Sequence, residues 1–323
     1  MRSHPDGPSR PLLKWAGGKR QLLPILREWY PDRFARYVEP FFGSGAVFFD
    51  LAGSGVLAGR PALLADTNRD LIDCYEVVRD ATEDVIAELA RLSAEHRLRG
   101  NNLYYEVRDA RFNAARAAGE RRTPALAAML IYLNRTGFNG LYRVNRRGDF
   151  NVPAGRYADP RICDADHLRT VAATLRTPGV TLVHASFDVP LEGSGRGDFV
   201  YCDPPYAPLS PSSSFAHYTA GGFTADDQAR LQGAVVAAAR RGATVLLSNS
   251  SAPMITRLYG SAAARAAGLR VRRVPARRAI NSRAAGRGAV DELLVTNAQR
   301  TLAALPAPAM LRAALPKAAR RRA

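Results

Sequence analysis

EPFFGSGAVF, Glu39–Phe48, decides the fold of this chain. It follows a short apolar run, Tyr37–Glu39, and precedes a helix-like run. Gly43 and Gly45 permit a tight turn and let a ligand come close to the backbone, because glycine has no Cβ. The dinucleotide-binding fingerprint would place a third glycine where Phe48 stands, so that match fails. On these ten residues alone, a plain turn and a ligand cradle are both open. The next candidate strand, Pro61–Ala65, ends in Asp66, 23 residues after Gly43. An acid at the end of the second strand can bind two ribose hydroxyls; it can also cap the helix that starts near Asn68. Together the two stretches predict an adenosine-type cofactor at the carboxyl edge of a sheet, with no phosphate signature.

Working outward, further apolar runs stand at Val180–Ala185, Phe199–Cys202, Thr244–Leu247, Leu269–Val274 and Leu293–Thr296, several of them separated by helical stretches. Thr224 with Asp227 reads as a capping box opening a helix to about Arg241. Alternating strands and helices predict an α/β domain with a mostly parallel sheet. Between Asp70 and about Leu175 the pattern turns helical: Leu71, Tyr75 and Val78 share a face, as do Val85, Leu89 and Leu92. Residues 10–69 and 176–299 are therefore expected to form one discontinuous α/β unit, with 70–175 inserted and 300–323 a mobile basic tail.

Composition sets the class of partner. Of 46 basic residues only Lys14, Lys19 and Lys317 are lysine, and the net charge is +17. Such a field favours polyanions, although so many arginines beside so much alanine also fit a coding bias. No run of about 18 apolar residues suggests a membrane span, and the start, MRSHPDGPSRPLL, lacks the apolar segment of a secretory signal. Cys74, Cys163 and Cys202 are scattered, forming neither a disulfide framework nor a metal knuckle.

Three motifs carry chemistry. In DFVYCDPPYAPLS, Asp198–Ser210, a buried strand delivers Asp203 to its carboxyl end. Pro204 and Pro205 lack N–H groups and have a fixed φ, so their carbonyls are rigid free acceptors. A carboxylate beside such a carbonyl suits an exocyclic amine, and Tyr206 offers a flat face to a base. A simple Pro-Pro turn is the plainer alternative. The following Leu209–Gly222, LSPSSSFAHYTAGG, has the length of a lid; His217 within it stands alone and is not a candidate catalyst. Lys14-Trp-Ala-Gly-Gly-Lys19 is no phosphate loop, since Arg20 stands where a hydroxyl would hold magnesium; a lid over a ligand and a surface turn with a packed tryptophan both remain open. Finally, Tyr132–Tyr157, YLNRTGFNGLYRVNRRGDFNVPAGRY, interleaves Arg, Asn, Gly and aromatics. Arg can be bidentate to guanine, Asn to adenine, and apolar side chains can wedge between base steps; a solvated basic loop is the bland reading.

LKWAGGK, EPFFGSG, LLADTNRDLI, NRTGFNGLYRVN…FNVPAGRY, DPPYAP and VDELLVTN run in this order from Leu13 to Asn297. Together they resemble the Dam-type adenine-specific DNA methyltransferases, the α group of the D12 class. The resemblance implies a Rossmann-like methyltransferase sheet of about seven strands with a mainly helical target-recognition insertion, no metal, and a cytoplasmic enzyme acting on double-stranded DNA. It implies S-adenosyl-L-methionine held by Trp15, Lys19, Pro40, Phe41, Gly43, Gly45, Asp66 and Asp203, with Ser186 and Phe187 near its adenine. Asp203, Pro204, Pro205 and Tyr206 would grip the N6 amine and ring of a flipped adenine. Lys14, Arg135, Asn139, Leu141, Arg143, Asn145, Pro153 and Tyr157 would contact DNA, commonly at GATC, with Arg143 reading a guanine. Thr136–Phe138 departs from the family pattern in a variable part of the loop. A restriction endonuclease encoded nearby is one partner such an enzyme can have; solitary repair or regulatory roles are others. Three rival readings stand beside this one. A cytosine-N4 methyltransferase tends to carry Ser at the Asp203 position. A binding protein would keep the fold without catalysis. A glutamine methyltransferase of release factors would carry Asn there and leave the basic insertion without a purpose.

Overall fold

The computed structural model describes residues 10–15, 17–208, 222–277 and 289–300. Seven strands form one sheet: β1 (Arg36–Glu39), β2 (Ala62–Asp66), β3 (Val180–His184), β4 (Asp198–Cys202), β5 (Thr244–Ser250), β6 (Arg270–Arg277) and β7 (Ala289–Thr296). Their spatial order is β3-β2-β1-β4-β5-β7-β6. β1 to β5 run parallel to one another, and β7 runs antiparallel between β5 and β6. Every expected strand is present, and the fold is the mixed α/β sheet that the sequence predicts.

A parallel sheet covered on both faces reads as near-continuous apolar runs, and β4, DFVYC, is buried at all five positions. Successive side chains point to opposite faces. Tyr37, Phe199, Tyr201 and Leu246 join one core, while Val38, Val200, Cys202, Val245 and Leu247 join the other. Each fully buried side chain of this size contributes roughly 1.5–3 kcal/mol. The second core is closed by the helix Ala225–Arg240, whose Thr224–Asp227 capping box is formed as expected.

The first core continues into the insertion: Leu89, Leu103, Ile131 and Leu133 belong to the same cluster as Tyr37 and Phe199. The expected boundaries at 69/70 and 175/176 fall in the first turn of the helix Arg69–Asp80 and at the end of the helix Ala165–Leu175. No linker separates insertion from sheet there, because one apolar cluster spans both. The loop 137–157 hangs from this helical layer. Asn113, ending a π-helical turn over Val107–Asn113, donates to the Phe150 carbonyl at 3.0 Å and accepts the Phe150 N–H at 2.8 Å. The loop folds as a short hairpin bridged at Val144 and Phe150.

Candidate active site

Strand order along the sheet reverses between β1 and β4: β2 and β3 extend to one side, β5 to the other. A crevice opens outside the carboxyl ends of strands at such a switch point, and ligands bind there. β1 delivers Glu39 to that edge and β4 delivers Asp203.

After β1 the chain turns sharply. Gly43 and Gly45 have φ of +49° and +68°, and a Cβ on Gly45 would overlap the Phe42 ring, so glycine is required there. The Gly43 N–H donates to Asp66 Oδ2 at 2.9 Å and the Asn68 N–H to Asp66 Oδ1 at 2.8 Å. Asn68 caps the Arg69–Asp80 helix, accepting from the Leu71 N–H at 3.1 Å. Asp66 is thereby released from the capping role that the sequence left open and ties the glycine turn to the second strand. Burial pushes its carboxyl above the usual range, against the pull of the Asn68 and Gly43 amides. Buried Pro40 and half-buried Phe41 follow Glu39. Phe41 stacks on Phe187 with centroids 5.4 Å apart, and Phe223 closes edge-on at 5.9 Å, making a small aromatic shelf. Ser186 donates to Asp188 Oδ2 at 2.7 Å.

Asp203 receives Lys19 Nζ at 2.8 Å and the Ser248 hydroxyl at 3.0 Å, both on Oδ1. Ser248 spends its proton on Asp203, so Tyr201, 3.1 Å away, donates to Ser248. Asp203 Oδ2 accepts no hydrogen bond among the described residues. Burial raises this carboxyl as well, with Lys19 opposing. Pro204 also keeps its carbonyl free among the described residues, whereas Pro205 does not: Gln228 Nε2 donates to it at 2.8 Å. The expectation of two free proline carbonyls is corrected to one, because the Ala225–Arg240 helix reaches over the second. Tyr206 donates to Glu292 Oε2 at 2.7 Å, and Lys19 Nζ sits 4.5 Å from its ring centroid.

The segment around Lys19 is the surface turn with a packed tryptophan: the Gly18 N–H donates to the Trp15 carbonyl at 3.0 Å, and Gly17 and Gly18 are exposed. Lys19 is 6% exposed and also donates to the Gly17 carbonyl at 2.7 Å. Trp15 packs between the Tyr142 ring, 5.6 Å away, and Gly43.

Sequence reasoning missed four residues here. Glu39 is buried and accepts from Tyr37 Oη at 2.9 Å; burial pushes its carboxyl up, and the charges of Asp203 and Asp66 add to this. Ser248, Asn249 and Ser250 end β5. Asn249 Oδ1 accepts the Ala207 N–H at 3.3 Å, and Ser250 donates to the Ala207 carbonyl at 2.6 Å, fixing the chain behind Tyr206. A polar triplet at the end of an apolar strand run was the available signal.

Lys14 is exposed, as are Asn139, Arg143, Pro153 and Tyr157 on the insertion, and Leu141 is half-exposed. Lys14 Nζ lies 4.6 Å from the Tyr157 ring centroid, and the Phe138 N–H donates to the Pro153 carbonyl at 2.9 Å, so most of these residues form one surface. Phe138, left out of the sequence-based set, is 48% exposed on it. Arg143 is braced by Asn151, with 2.7 Å between Nε and Oδ1. The other two expected DNA contacts are half-buried and engaged in hydrogen bonds within the protein. Arg135 turns inward to the Leu12 carbonyl at 2.7 Å. Asn145 spends its side chain on the hairpin turn, accepting the Arg147 and Asp149 N–H groups at 2.8 and 3.0 Å. The segment 209–221, expected to be a lid and containing His217, and the tail 301–323 lie outside the described residues. Among the described residues no group of three or more His, Cys, Asp or Glu could hold a metal ion.

The family model for the D12 class N6 adenine-specific DNA methyltransferases matches residues 15–272. A Type II methyltransferase of Lactococcus lactis subsp. cremoris is 36% identical over 293 residues, 89% of this chain and 95% of its own length. A Type II methyltransferase of Methanocaldococcus jannaschii is 37% identical over 299 residues, 89% of this chain and 99% of its own. The DNA adenine methylase of Escherichia coli K12 is 35% identical over 286 residues, 88% of this chain and 94% of its own. This chain belongs to the D12 class of N6 adenine-specific DNA methyltransferases.

Proposed function

We propose that the methyl donor is S-adenosyl-L-methionine and that the acceptor is N6 of an adenine flipped out of duplex DNA, within GATC or a similar short site. One observation carries the reading. At the switch point, Asp203 Oδ2 and the Pro204 carbonyl are two adjacent acceptors without donors among the described residues. An exocyclic amine has two N–H bonds to give, and accepting both turns the nitrogen lone pair out of the base plane. A stacked base cannot reach this edge, hence the flip.

The residues present fit the donor. Glu39, Asp66 and Asp203 place three carboxylates around the crevice, each pushed up by burial, and a ligand with positive charge relieves that cost. When bound, S-adenosyl-L-methionine supplies an electrophilic methyl group on a sulfonium. Asp66 binds the ribose at the end of β2, and the shelf of Phe41 and Phe187 offers the adenine a face. Trp15 closes the glycine turn, with Gly43 and Gly45 leaving the backbone open to close approach. Asp203 and Pro204 would hold the amine of the base at this edge, which is a positioning contribution. Tyr206, tethered by Glu292, supports the base ring. Lys14, Asn139, Leu141, Arg143, Pro153 and Tyr157 bind the DNA, and Arg143 reads a guanine. No helix among the described residues is long and apolar enough to cross a membrane, and we place the enzyme in the cytoplasm with its DNA substrate.

The test is expression of the chain in a methylation-free host, followed by sequencing with read-out of modified bases. Methyladenine confined to one short motif is expected. Modified cytosine, or no modification by soluble folded protein, would overturn the proposal.

A further inference from the structure

Tyr142 lies between Leu141 and Arg143, in the middle of the DNA-facing surface, yet its own side chain points inward and is buried. Its hydroxyl donates to Asp70 Oδ2 at 2.6 Å. Its ring stacks on Trp15 with centroids 5.6 Å apart and 27° between planes. Both contacts lead to the donor pocket. Asp70 stands in the first turn of the Arg69–Asp80 helix, just beyond Asp66 and the capping Asn68. Trp15 abuts Gly43, where a Cβ would stand 3.0 Å from the indole Cδ1.

Two further joints bind the same bodies. Asp70 Oδ2 also pairs with Arg116 Nε at 2.8 Å, and Arg116 donates to the Gly148 carbonyl at the hairpin tip at 2.8 Å. Asn134, buried, accepts the Lys14 N–H at 2.9 Å and donates to the carbonyls of Lys14 and Gly140 at 2.8 and 2.9 Å. Gly140 presses so closely on Lys14 that a Cβ would stand 2.5 Å from that of Lys14. The segment carrying Lys14 and Trp15 and the loop carrying Asn139 and Arg143 are thus joined by buried hydrogen bonds and ring contact. A displacement of one moves the other, because packed interiors do not deform continuously.

We propose that Tyr142 is a positioning residue that couples target recognition to methyl-donor binding. DNA seated against Leu141 and Arg143 fixes Tyr142. Tyr142 in turn holds Trp15 against the glycine turn and Asp70 beside the ribose acid. By linkage the donor strengthens DNA binding by the same factor. The inference rests on the proposed donor and DNA surface.

The experiment uses the full chain with S-adenosyl-L-homocysteine, the demethylated donor, as an inert probe and a short duplex carrying the target. Calorimetry gives the probe's Kd with and without duplex, and the duplex's Kd with and without probe. The two ratios must agree, and in the wild type each is expected at about fivefold or more, the lower end of ordinary coupling. In Tyr142→Leu the ratio is expected to fall towards one, whereas a residue that only stabilises the fold would leave the ratio in place. Tyr142→Phe and Asp70→Asn each alter one end of the 2.6 Å hydrogen bond at nearly constant volume; both should lower the ratio, and they decide the matter if the leucine variant does not fold. A wild-type ratio of one, or a wild-type ratio kept by the folded variants, overturns the coupling while leaving the proposed function standing. Failure of the wild type to bind probe or duplex at all would instead overturn the function, and the coupling with it.

Discussion

The sheet edge and the recognition loop solve opposite problems. At the edge, strands carry Glu39, Asp66 and Asp203 into a region where burial raises all three carboxyls. Their geometry is held by hydrogen bonds to Tyr37, to the Gly43 and Asn68 amides and to Lys19 and Ser248. In the loop, side chains alternate between fastening inward, as Tyr142 and Asn145 do, and standing in solvent, as Asn139 and Arg143 do. On the proposed function, the edge keeps carboxyls in an unfavourable place so that they can act on a ligand, and the loop invests its buried groups in shape and leaves its charge outside for a polyanion. Substitutions at the edge should therefore change rate with modest effect on DNA affinity, and outward substitutions in the loop should change target choice with modest effect on the fold.

The largest expected effect tests the edge. Asp203→Ala removes the acceptor paired with the Pro204 carbonyl and leaves Lys19 without its 2.8 Å partner. Turnover should fall by about 10²–10³-fold or more, the scale on which loss of one preorganised polar group acts. Duplex binding should persist. Transfer of a labelled methyl group to an oligonucleotide, beside an electrophoretic binding assay, measures both. Near-normal turnover would remove Asp203 from the mechanism and erase the contrast between the two regions.

Next in size come two arginines of the insertion, set against each other. Arg143→Ala should cost about 1–3 kcal/mol of discrimination between target and near-cognate duplexes, as expected of a bidentate guanine contact, with little change in unfolding midpoint. Arg135→Ala should do the reverse. Its half-buried guanidinium donates to the Leu12 carbonyl, and leaving that carbonyl unpaired should cost about 1–3 kcal/mol of stability while discrimination holds. Kinetics on oligonucleotide pairs and denaturant titration read the two quantities. If Arg135→Ala altered target choice without loss of stability, its inward orientation would not describe the DNA-bound enzyme.

The same pair shows what was legible in the sequence. Strand runs and the capping box were readable because burial and helix geometry impose fixed periods on the residues themselves. Gly43, Gly45 and Asp203 were readable because backbone geometry and sheet topology restrict what can stand there. Arg135 and Arg143 were not separable, since both are arginines in one basic stretch of sequence, and only the three-dimensional path of the chain sets Arg135 on the end of the helix Pro124–Thr136 and turns it inward. Glu39, Ser248 and Glu292 were quoted or passed over without a role for a related reason. Each depends on residues distant in sequence: Ser248 acts on Asp203, Glu292 on Tyr206, and the charges of Asp203 and Asp66 add to the rise of the Glu39 carboxyl. The chemistry of a single residue fixes what it can do, and neighbours supplied by other strands decide what it does.

The smallest effect has the most diagnostic sign, and it falls at the edge. Glu39 is buried, and burial raises its carboxyl well above the usual range, with Asp203 and Asp66 adding to the rise. A carboxyl whose folded-state pKa is raised favours the fold while protonated and loses that contribution as pH climbs through the folded pKa. As the pH climbs through that elevated pKa, ligand-free protein thus gains a destabilising charge at the end of β1. Glu39→Gln keeps the shape and a partner for Tyr37 Oη while removing that charge. The variant should melt at a higher temperature than the wild type near pH 8, and the gap should close as the pH drops below Glu39's elevated pKa. Binding of S-adenosyl-L-homocysteine, which retains a positively charged amino group, should weaken in the same variant. Calorimetric melting across a pH series, with and without this ligand, separates the two effects. A variant less stable than the wild type at high pH would show that Glu39 serves the fold and not the ligand, and the edge would then resemble the loop in spending its buried polar groups on shape.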